Sequence, residues 1–232
     1  EGNENLSPFS FFNVFSINPP ILVFSPVRRV RNNTSKHTLD NVNLVKECVI
    51  SLVTEEIAQQ VSLASCDFAN ETNEFEKAGF TAIKSDLISP SRIKESPINF
   101  ECKVNEVIAL GEEGGAGSLV LCEVLRMHIN ESILDEKNAI DPFKLNIVSR
   151  LGANWYGKTN KNSLYEIAKP ISSMGMGIDK LPEEIRNSEI LTGNELAILA
   201  SAENIPAKKE FTLTDKKNTE EKHILAKELL SQ

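Results

Sequence analysis

The segment Ser25-Pro26-Val27-Arg28-Arg29-Val30-Arg31-Asn32-Asn33-Thr34-Ser35-Lys36-His37-Thr38 gathers Arg28, Arg29, Arg31 and Lys36 with no acidic residue among them. The chain as a whole carries a formal net charge of −8, so this loop inverts the local sign. Ser25, Thr34, Ser35 and Thr38 add hydroxyls, and the pattern predicts that the loop runs from a strand into a helix. A helix N-terminus offers unpaired N–H groups and the positive end of a dipole to an anion. Arginine adds a planar fork of donors that matches phosphate oxygens. The chemistry is therefore anion binding, with phosphate the best fit. A solvated basic loop without a ligand is the plainer alternative.

Upstream, Asn5-Leu6-Ser7-Pro8-Phe9-Ser10-Phe11-Phe12-Asn13 alternates small polar side chains with large rings. A flat heteroaromatic ligand needs apolar faces and a few edge donors and acceptors. The same rings, with Phe15, would serve equally as ordinary core. No G-x-S-x-G, H-E-x-x-H or P-loop occurs, so no catalytic acid–base or nucleophile set is expected. The glycines from Gly111 to Gly117 lack dinucleotide-binding spacing and read as a hairpin turn. His128 and His223 have no partner at metal spacing, and no metal site is expected. Cys48, Cys102 and Cys122 sit in apolar runs, where cysteine behaves as a small hydrophobe. With no C-x-x-C among the four cysteines, the expected compartment is the reducing cytoplasm.

The elements that must position these residues are mostly strands. Ser10–Phe15 and Ile21–Phe24 read as two strands around the Pro19-Pro20 turn. Leu39, Val42 and Val45 make a helical stripe over Thr38–Lys46, and Cys48–Val53 is a buried-type strand. Thr54 is placed to cap a helix over Glu55–Leu63. A short helix over Thr72–Ala78 should end at Gly79. Ile98, Phe100, Cys102 and Val104 alternate with Asn99, Glu101, Lys103 and Asn105, and Val107-Ile108 breaks the phase as a bulge would. Leu119–Ile129 is the second arm of that hairpin. Beyond residue 160, Pro182 starts a helix and Thr192-Gly193-Asn194-Glu195 forms a capping box before Leu196–Ala200. Ile185, Leu191, Leu196 and Leu199 form an apolar set. Residues 207–232 are highly charged, with a weak stripe of Ile224, Leu225 and Leu229.

Of 232 residues, 41% are hydrophobic and 25% charged, enough for a substantial core, which excludes global disorder. The acidic balance argues against nucleic-acid binding, including single-strand binding by a small barrel. No apolar run approaches the ~20 residues of a membrane helix, so no membrane association is expected, and the polar start Glu1–Asn5 has no signal-peptide character. The expected fold is mainly β with α inserts: a small antiparallel barrel over residues 1–160, with residues 161–232 as a C-terminal helical and loop extension. A short barrel with its ligand at an open edge leaves apolar surface for a partner, and a twofold homodimer is the commonest solution.

Read together, Asn5-x-Ser7-Pro8-x-Ser10-Phe11-Phe12, Ser16-x-x-Pro19-Pro20-x-x-x-Phe24-Ser25 and Lys36-His37-Thr38-x-x-Asn41 resemble the flavin reductase-like, FMN-binding split-barrel family. The resemblance continues through Ser62-Leu63-Ala64-Ser65, Asn73-Glu74-Phe75-x-x-Ala78-Gly79-Phe80, Lys94-Glu95-Ser96-Pro97-Ile98-x-Phe100-Glu101-Cys102, Glu123-Val124 and Ile140-Asp141. It ends with Arg150-Leu151-Gly152-Ala153-Asn154-Trp155-Tyr156. It implies a split antiparallel β-barrel homodimer with FMN near the subunit interface. Asn5, Ser7, Ser10, Phe11 and Phe12 would line the flavin ring. Ser25, Arg28, Arg31, Lys36 and Thr38 would hold the phosphate, and Ser62, Ala64 and Ser65 would approach the ring edge. His37 stands where many members carry aspartate. Members also have a strand ahead of the Asn-x-Ser-Pro segment, so an upstream strand or another element should complete the barrel edge. The activity implied is hydride transfer from NADH or NADPH to flavin, then on to free flavin, oxygen or a partner such as a monooxygenase. A flavin-bound electron carrier without its own nicotinamide site is the alternative. The extension would then be a lid over the flavin or a dimer buttress.

Overall fold

The alternating apolar pattern of residues 98–129 builds the longest strands among the described residues. The computed structural model describes residues 4–66, 68, 72–205 and 219–230, and the chain divides into two units, residues 1–165 and 166–232. The strands of the first unit are β1 (Phe12–Ile17), β2 (Pro20–Phe24), β3 (Glu47–Ser51), β4 (Ala82–Ile83), β5 (Arg92–Ile93), β6 (Ile98–Ala109), β7 (Ser118–Ile129), β8 (Val148–Arg150) and β9 (Tyr156–Lys158). Its helices are α1 (His37–Val45), α2 (Ala58–Leu63), α3 (Glu74–Ala78) and α4 (Pro142–Leu145). Five strands form one antiparallel sheet in the order β1-β2-β7-β6-β3, while β4–β5 and β8–β9 are separate pairs. The architecture is mainly β with helical inserts, as expected of a split barrel. Among the described residues the outer edges of β1 and β3 have no strand partner, and a cavity of about 460 Å³ runs along β3.

The inner face of the sheet packs on α1. Leu22, Phe24, Leu39, Val42, Cys48, Cys102, Val104, Val120 and Cys122 form one buried cluster, with Phe9 and Phe12 packed against it. The rings of the Phe9–Phe15 stretch therefore divide: Phe9 stacks 5.1 Å from Phe24, whereas Phe11 and Phe15 are exposed. A second cluster joins Ile57, Ala64, Phe75, Ala78, Phe80 and Ile93. The three core cysteines meet across neighbouring strands, with Cys48 Sγ 3.7 Å from Cys122 Sγ. Contact with the Cys48 sulfur and burial together raise the Cys102 and Cys122 thiols.

Several local readings shift. Thr54 does not cap a helix with its side chain. It is buried and pairs with Ile147, and a short 3₁₀ turn over Glu55–Ile57 precedes α2. Asn73 caps α3, accepting from the Phe75 and Glu76 N–H groups, and Gly79 ends it at φ 71°. The β6–β7 register slips at Glu101/Cys102 and at Val104/Glu106, ahead of the expected break at Val107-Ile108. The alternation of β6 does not put one polar face in water: Asn99 and Glu101 are buried. The segment from Ala82 to Ile93 covers that face and supplies the N–H donors those side chains need.

The second unit has its own small core of Leu181, Leu191, Leu196 and Ala200, with Ile185 and Leu199 packed against it. Its helices are α5 (Glu183–Arg186), α6 (Gly193–Leu199) and α7 (Thr219–Leu230). Pro182 is the cap of α5 rather than its first residue. The capping box forms at Thr192 and Glu195. Ser188 Oγ lies 2.7 Å from His223 Nδ1, which ties α7 to the turn before α6. Residues 206–218 and the side chains of Leu225 and Leu229 lie outside the described residues, so of that stripe only Ile224 is described. No described helix is long and apolar enough to cross a membrane.

Candidate functional site

The basic loop reaches α1 through a tight turn. The Arg29 N–H donates to Thr34 O (2.9 Å), and the Asn33 N–H donates to Arg29 O (2.8 Å) with Asn33 at φ 54°. Lys36 caps α1 in an extended conformation. The incoming N-terminal segment lies against this helix start. Asn5 Nδ2 donates to Thr38 Oγ1 (2.7 Å), and Asn5 Oδ1 accepts from Asn41 Nδ2 (2.9 Å). On the other side the Leu6 N–H donates to the buried Glu74 carboxylate (3.2 Å). These bonds hold residues 5–7 between α1 and α3, and the short loop after α2 completes a small cleft.

Of the residues singled out in the sequence, Asn5, Ser7, Lys36, Thr38, Ala64 and Ser65 line this cleft together. Arg29 joins them, with His37, Cys66, Phe68 and Glu74. Asn5, Ser7, Thr38 and Ala64 also border the 460 Å³ cavity, as does Phe12. Ser10, Phe11, Ser25, Arg28, Arg31 and Ser62 line neither space. Arg28 turns back on its own loop, donating through Nε to Asn33 Oδ1 (2.6 Å) and through Nη2 to Asn33 O (2.5 Å). Ser25 lies against the β6–β7 turn, where a Cβ at Gly117 would come within 2.5 Å of Ser25 Oγ. The Ser62 carbonyl accepts the Ser65 hydroxyl. Arg29 donates to Thr34 Oγ1 (3.1 Å) and to the Ser35 carbonyl. Which arginine enters the cleft is a matter of chain parity through the turn, and no spacing in the sequence reports it. Glu74 was legible only as part of the Asn73-Glu74-Phe75 run, without a hint of its place beside two cations.

The donor set suits a phosphate monoester: two cations, the Ser7 and Thr38 hydroxyls, and the N-terminus of α1. The adjoining cavity is mainly apolar and falls within the ~300–1,000 Å³ usual for small-molecule and cofactor sites. The residues present therefore fit a ligand with a phosphate at one end and a ring system at the other.

A second titratable group lies on β6. Glu101 is fully buried and accepts from the backbone N–H groups of Asp86 (2.8 Å) and Leu87 (2.7 Å). His128 Nε2 stands 2.6 Å from its Oε1, and Arg92 Nε 3.8 Å. Burial opposes its charge, but the two N–H donors and His128 outweigh burial and hold the carboxyl below the ordinary glutamate range. Asp86 is held low chiefly by Arg126, 2.6 Å away. Asp86, Glu101 and His128 are close enough to share an ion, yet the Glu101 oxygens already accept protein donors and two guanidinium groups stand beside the carboxylates. The cluster pins the loop that brings Ser89, Pro90 and Ser91 to the cavity wall.

Residues 1–145 match the model of the flavin reductase like domain. An uncharacterized protein of Aquifex aeolicus (strain VF5) is 36% identical over 158 residues, which is 68% of this chain and 78% of that one. Nitrilotriacetate monooxygenase component B from Bacillus cereus superposes with a TM-score of 0.64 at 28% identity, covering 70% of this chain and 79% of that one. Pseudomonas fluorescens 2-nitrobenzoate 2-nitroreductase superposes with a TM-score of 0.61, also at 28% identity, covering 74% and 81%.

Proposed function

The chain belongs to the flavin reductase-like domain family, and on that premise we propose that it is an FMN-binding oxidoreductase of flavin reductase type. Its hydride donor is NADH or NADPH, and electrons pass on to free flavin, oxygen or a partner protein. The observation that carries this reading is the cleft at the start of α1, where Arg29, Lys36, Ser7, Thr38 and Ser65 gather beside an apolar cavity. A partner of monooxygenase type agrees with the name of the similar component B.

Bound FMN supplies the redox chemistry, accepting a hydride and releasing its electrons to an acceptor. Ser7, Arg29, Lys36 and Thr38 would hold its phosphate, and Asn5, Phe12 and Ala64 would border the ring. The protein's work is to bind and orient the group. Thr38 accepts the Asn5 amide, which leaves its hydroxyl proton to point at an anion. Asn41 fixes the Asn5 amide from the other side, so this part of the site is ordered ahead of binding. Glu74 faces the same cleft, and the Leu6 N–H on its carboxylate reduces the repulsion it presents to a phosphate. We further propose a homodimer, the assembly that the family resemblance implies.

The test is an absorption spectrum of purified protein loaded with FMN, before and after anaerobic NADH and NADPH. Bleaching by either donor supports the enzyme. Bleaching only by dithionite turns the assignment to an electron carrier. Failure to retain FMN at micromolar concentration defeats both.

A further inference from the structure

The turn between β6 and β7 lies against the basic loop, and the two segments are joined backbone to backbone. The Ser118 N–H donates to Pro26 O (3.0 Å), the Arg28 N–H to Ala116 O (2.9 Å) and the Gly115 N–H to Arg28 O (3.1 Å), with a β-bridge between Val27 and Gly117. The β2–β7 ladder thus runs on beyond Phe24 as far as Arg28. Side chains alternate along an extended chain, so fixing the Arg28 backbone fixes the side to which Arg29 departs. Gly114 is the point of closest approach. Its φ is not positive, so a side chain there would be excluded by space and not by backbone conformation. A Cβ would stand 3.0 Å from Val30 O, 3.1 Å from Val30 Cα and 3.4 Å from Arg29 O. All three are backbone atoms, so no side-chain rotation relieves the contact. The loop beyond is anchored at its far end, where Ser35 Oγ donates to Asp40 Oδ1 on α1 (2.8 Å). Arg29 O, beside the Gly114 position, accepts the Asn33 N–H (2.8 Å). A push on Val30 is therefore passed to Arg29, whose guanidinium is oriented by Thr34 Oγ1 and the Ser35 carbonyl.

We propose that Gly114 is a positioning residue for phosphate recognition: by letting the β6–β7 turn back directly onto the Arg29–Val30 backbone, it sets Arg29 in the cleft and so decides the preference of the site for a phosphate-bearing flavin over the phosphate-free one. The inference rests on the flavin reading above. Gly114 lines neither the cleft nor the cavity, so it acts only through the loop. A side chain at Gly114 requires the loop to give by a few tenths of an ångström. That shift is magnified along the length of the arginine side chain, and hydrogen bonds weaken steeply with misalignment. The ring end of the site does not share this dependence. Asn5 is held by Thr38 and Asn41 on α1, and none of these residues is bonded to the turn. The phosphate grip and the ring pocket therefore answer to different parts of the fold, and Gly114 belongs to the first alone.

The experiment measures dissociation constants of the full chain for FMN and for riboflavin, the same ring without a phosphate, by quenching of flavin fluorescence. Gly114→Val should raise the FMN constant on the order of tenfold, the size of losing part of a hydrogen bond to a charged group, and leave the riboflavin constant unchanged. Gly114→Ala, the milder change, should move FMN in the same direction by less, and it carries the test if the valine variant does not fold by circular dichroism. In an Arg29→Ala background Gly114→Val should add little, because residues acting through one contact are not additive. An FMN constant unchanged in a folded Gly114 variant overturns the inference. So does equal weakening of FMN and riboflavin, which is what a merely structural turn would give, and so does full additivity with Arg29→Ala. Each of these leaves the flavin reading standing. An unaltered chain that holds FMN no more tightly than riboflavin overturns the phosphate cleft and this inference with it, and one that binds neither overturns the flavin reading itself.

Discussion

Replacing Glu101 by alanine should be the most damaging single change on the sheet. The carboxylate is fully buried and serves two backbone N–H groups at 2.7–2.8 Å, His128 at 2.6 Å and Arg92 at 3.8 Å. Alanine leaves all four without their acceptor. Removing one partner of a buried charged set costs about 3–5 kcal/mol, and a chain of this size loses roughly 2–4 °C in melting temperature per kcal/mol, so a drop of about 6–20 °C is expected. Glutamine should recover only part of it, since its NH₂ faces a backbone donor. Urea denaturation followed by circular dichroism measures the loss. A loss below about 1 kcal/mol for alanine would refute the account, since that is the scale of an ordinary exposed substitution. A pH series adds the sign. The folded pKa lies below the ordinary glutamate value, so the stabilisation is fully present above the unfolded pKa, near ~4.3. It is lost as pH falls through the depressed folded value. The alanine variant should lack that acid-side decline. Because the same carboxylate anchors the loop carrying Ser89–Ser91, the variant should also bind FMN more weakly.

Three further outcomes are expected. Arg29→Ala and Lys36→Ala should each weaken FMN binding by about 1.5–3 kcal/mol, the range for hydrogen bonds to charged groups, whereas Arg28→Ala should leave affinity nearly unchanged because Arg28 lines neither the cleft nor the cavity and its guanidinium is turned back on Asn33. Flavin fluorescence titration separates these, and an Arg28 effect equal to that of Arg29 would return the phosphate to the other side of the loop. Asn5→Ala should cost binding without unfolding the sheet, since it removes the link between Thr38 and Asn41; calorimetric titration alongside circular dichroism distinguishes the two effects. Thr192→Ala should destabilise the second unit by about 0.5–2 kcal/mol through loss of its capping box, seen as faster amide exchange in α6 with unchanged FMN affinity.

What the chain announces locally is what local physics decides. Period-two alternation over residues 98–129 marks the β6–β7 hairpin because a sheet face repeats every second residue. The Leu39 and Val42 spacing marks α1, and Thr192 with Glu195 marks a helix start, because caps and stripes are settled within a few residues. The concentration of cations before α1 is likewise visible without knowledge of the fold. Parity and cover were not legible. Arg29 enters the cleft and Arg28 does not because a turn closed by the Arg29–Thr34 bond sets which side chain faces α1. Glu101 alternates like a solvent-facing residue, yet it is buried because a segment ahead of it in sequence folds over that face of β6 and donates to it. Glu74 meets Leu6 across sixty-eight positions of chain. Such pairings depend on which distant segments come to lie together, and periodicity, which records only how each segment presents its own faces, carries no term for that.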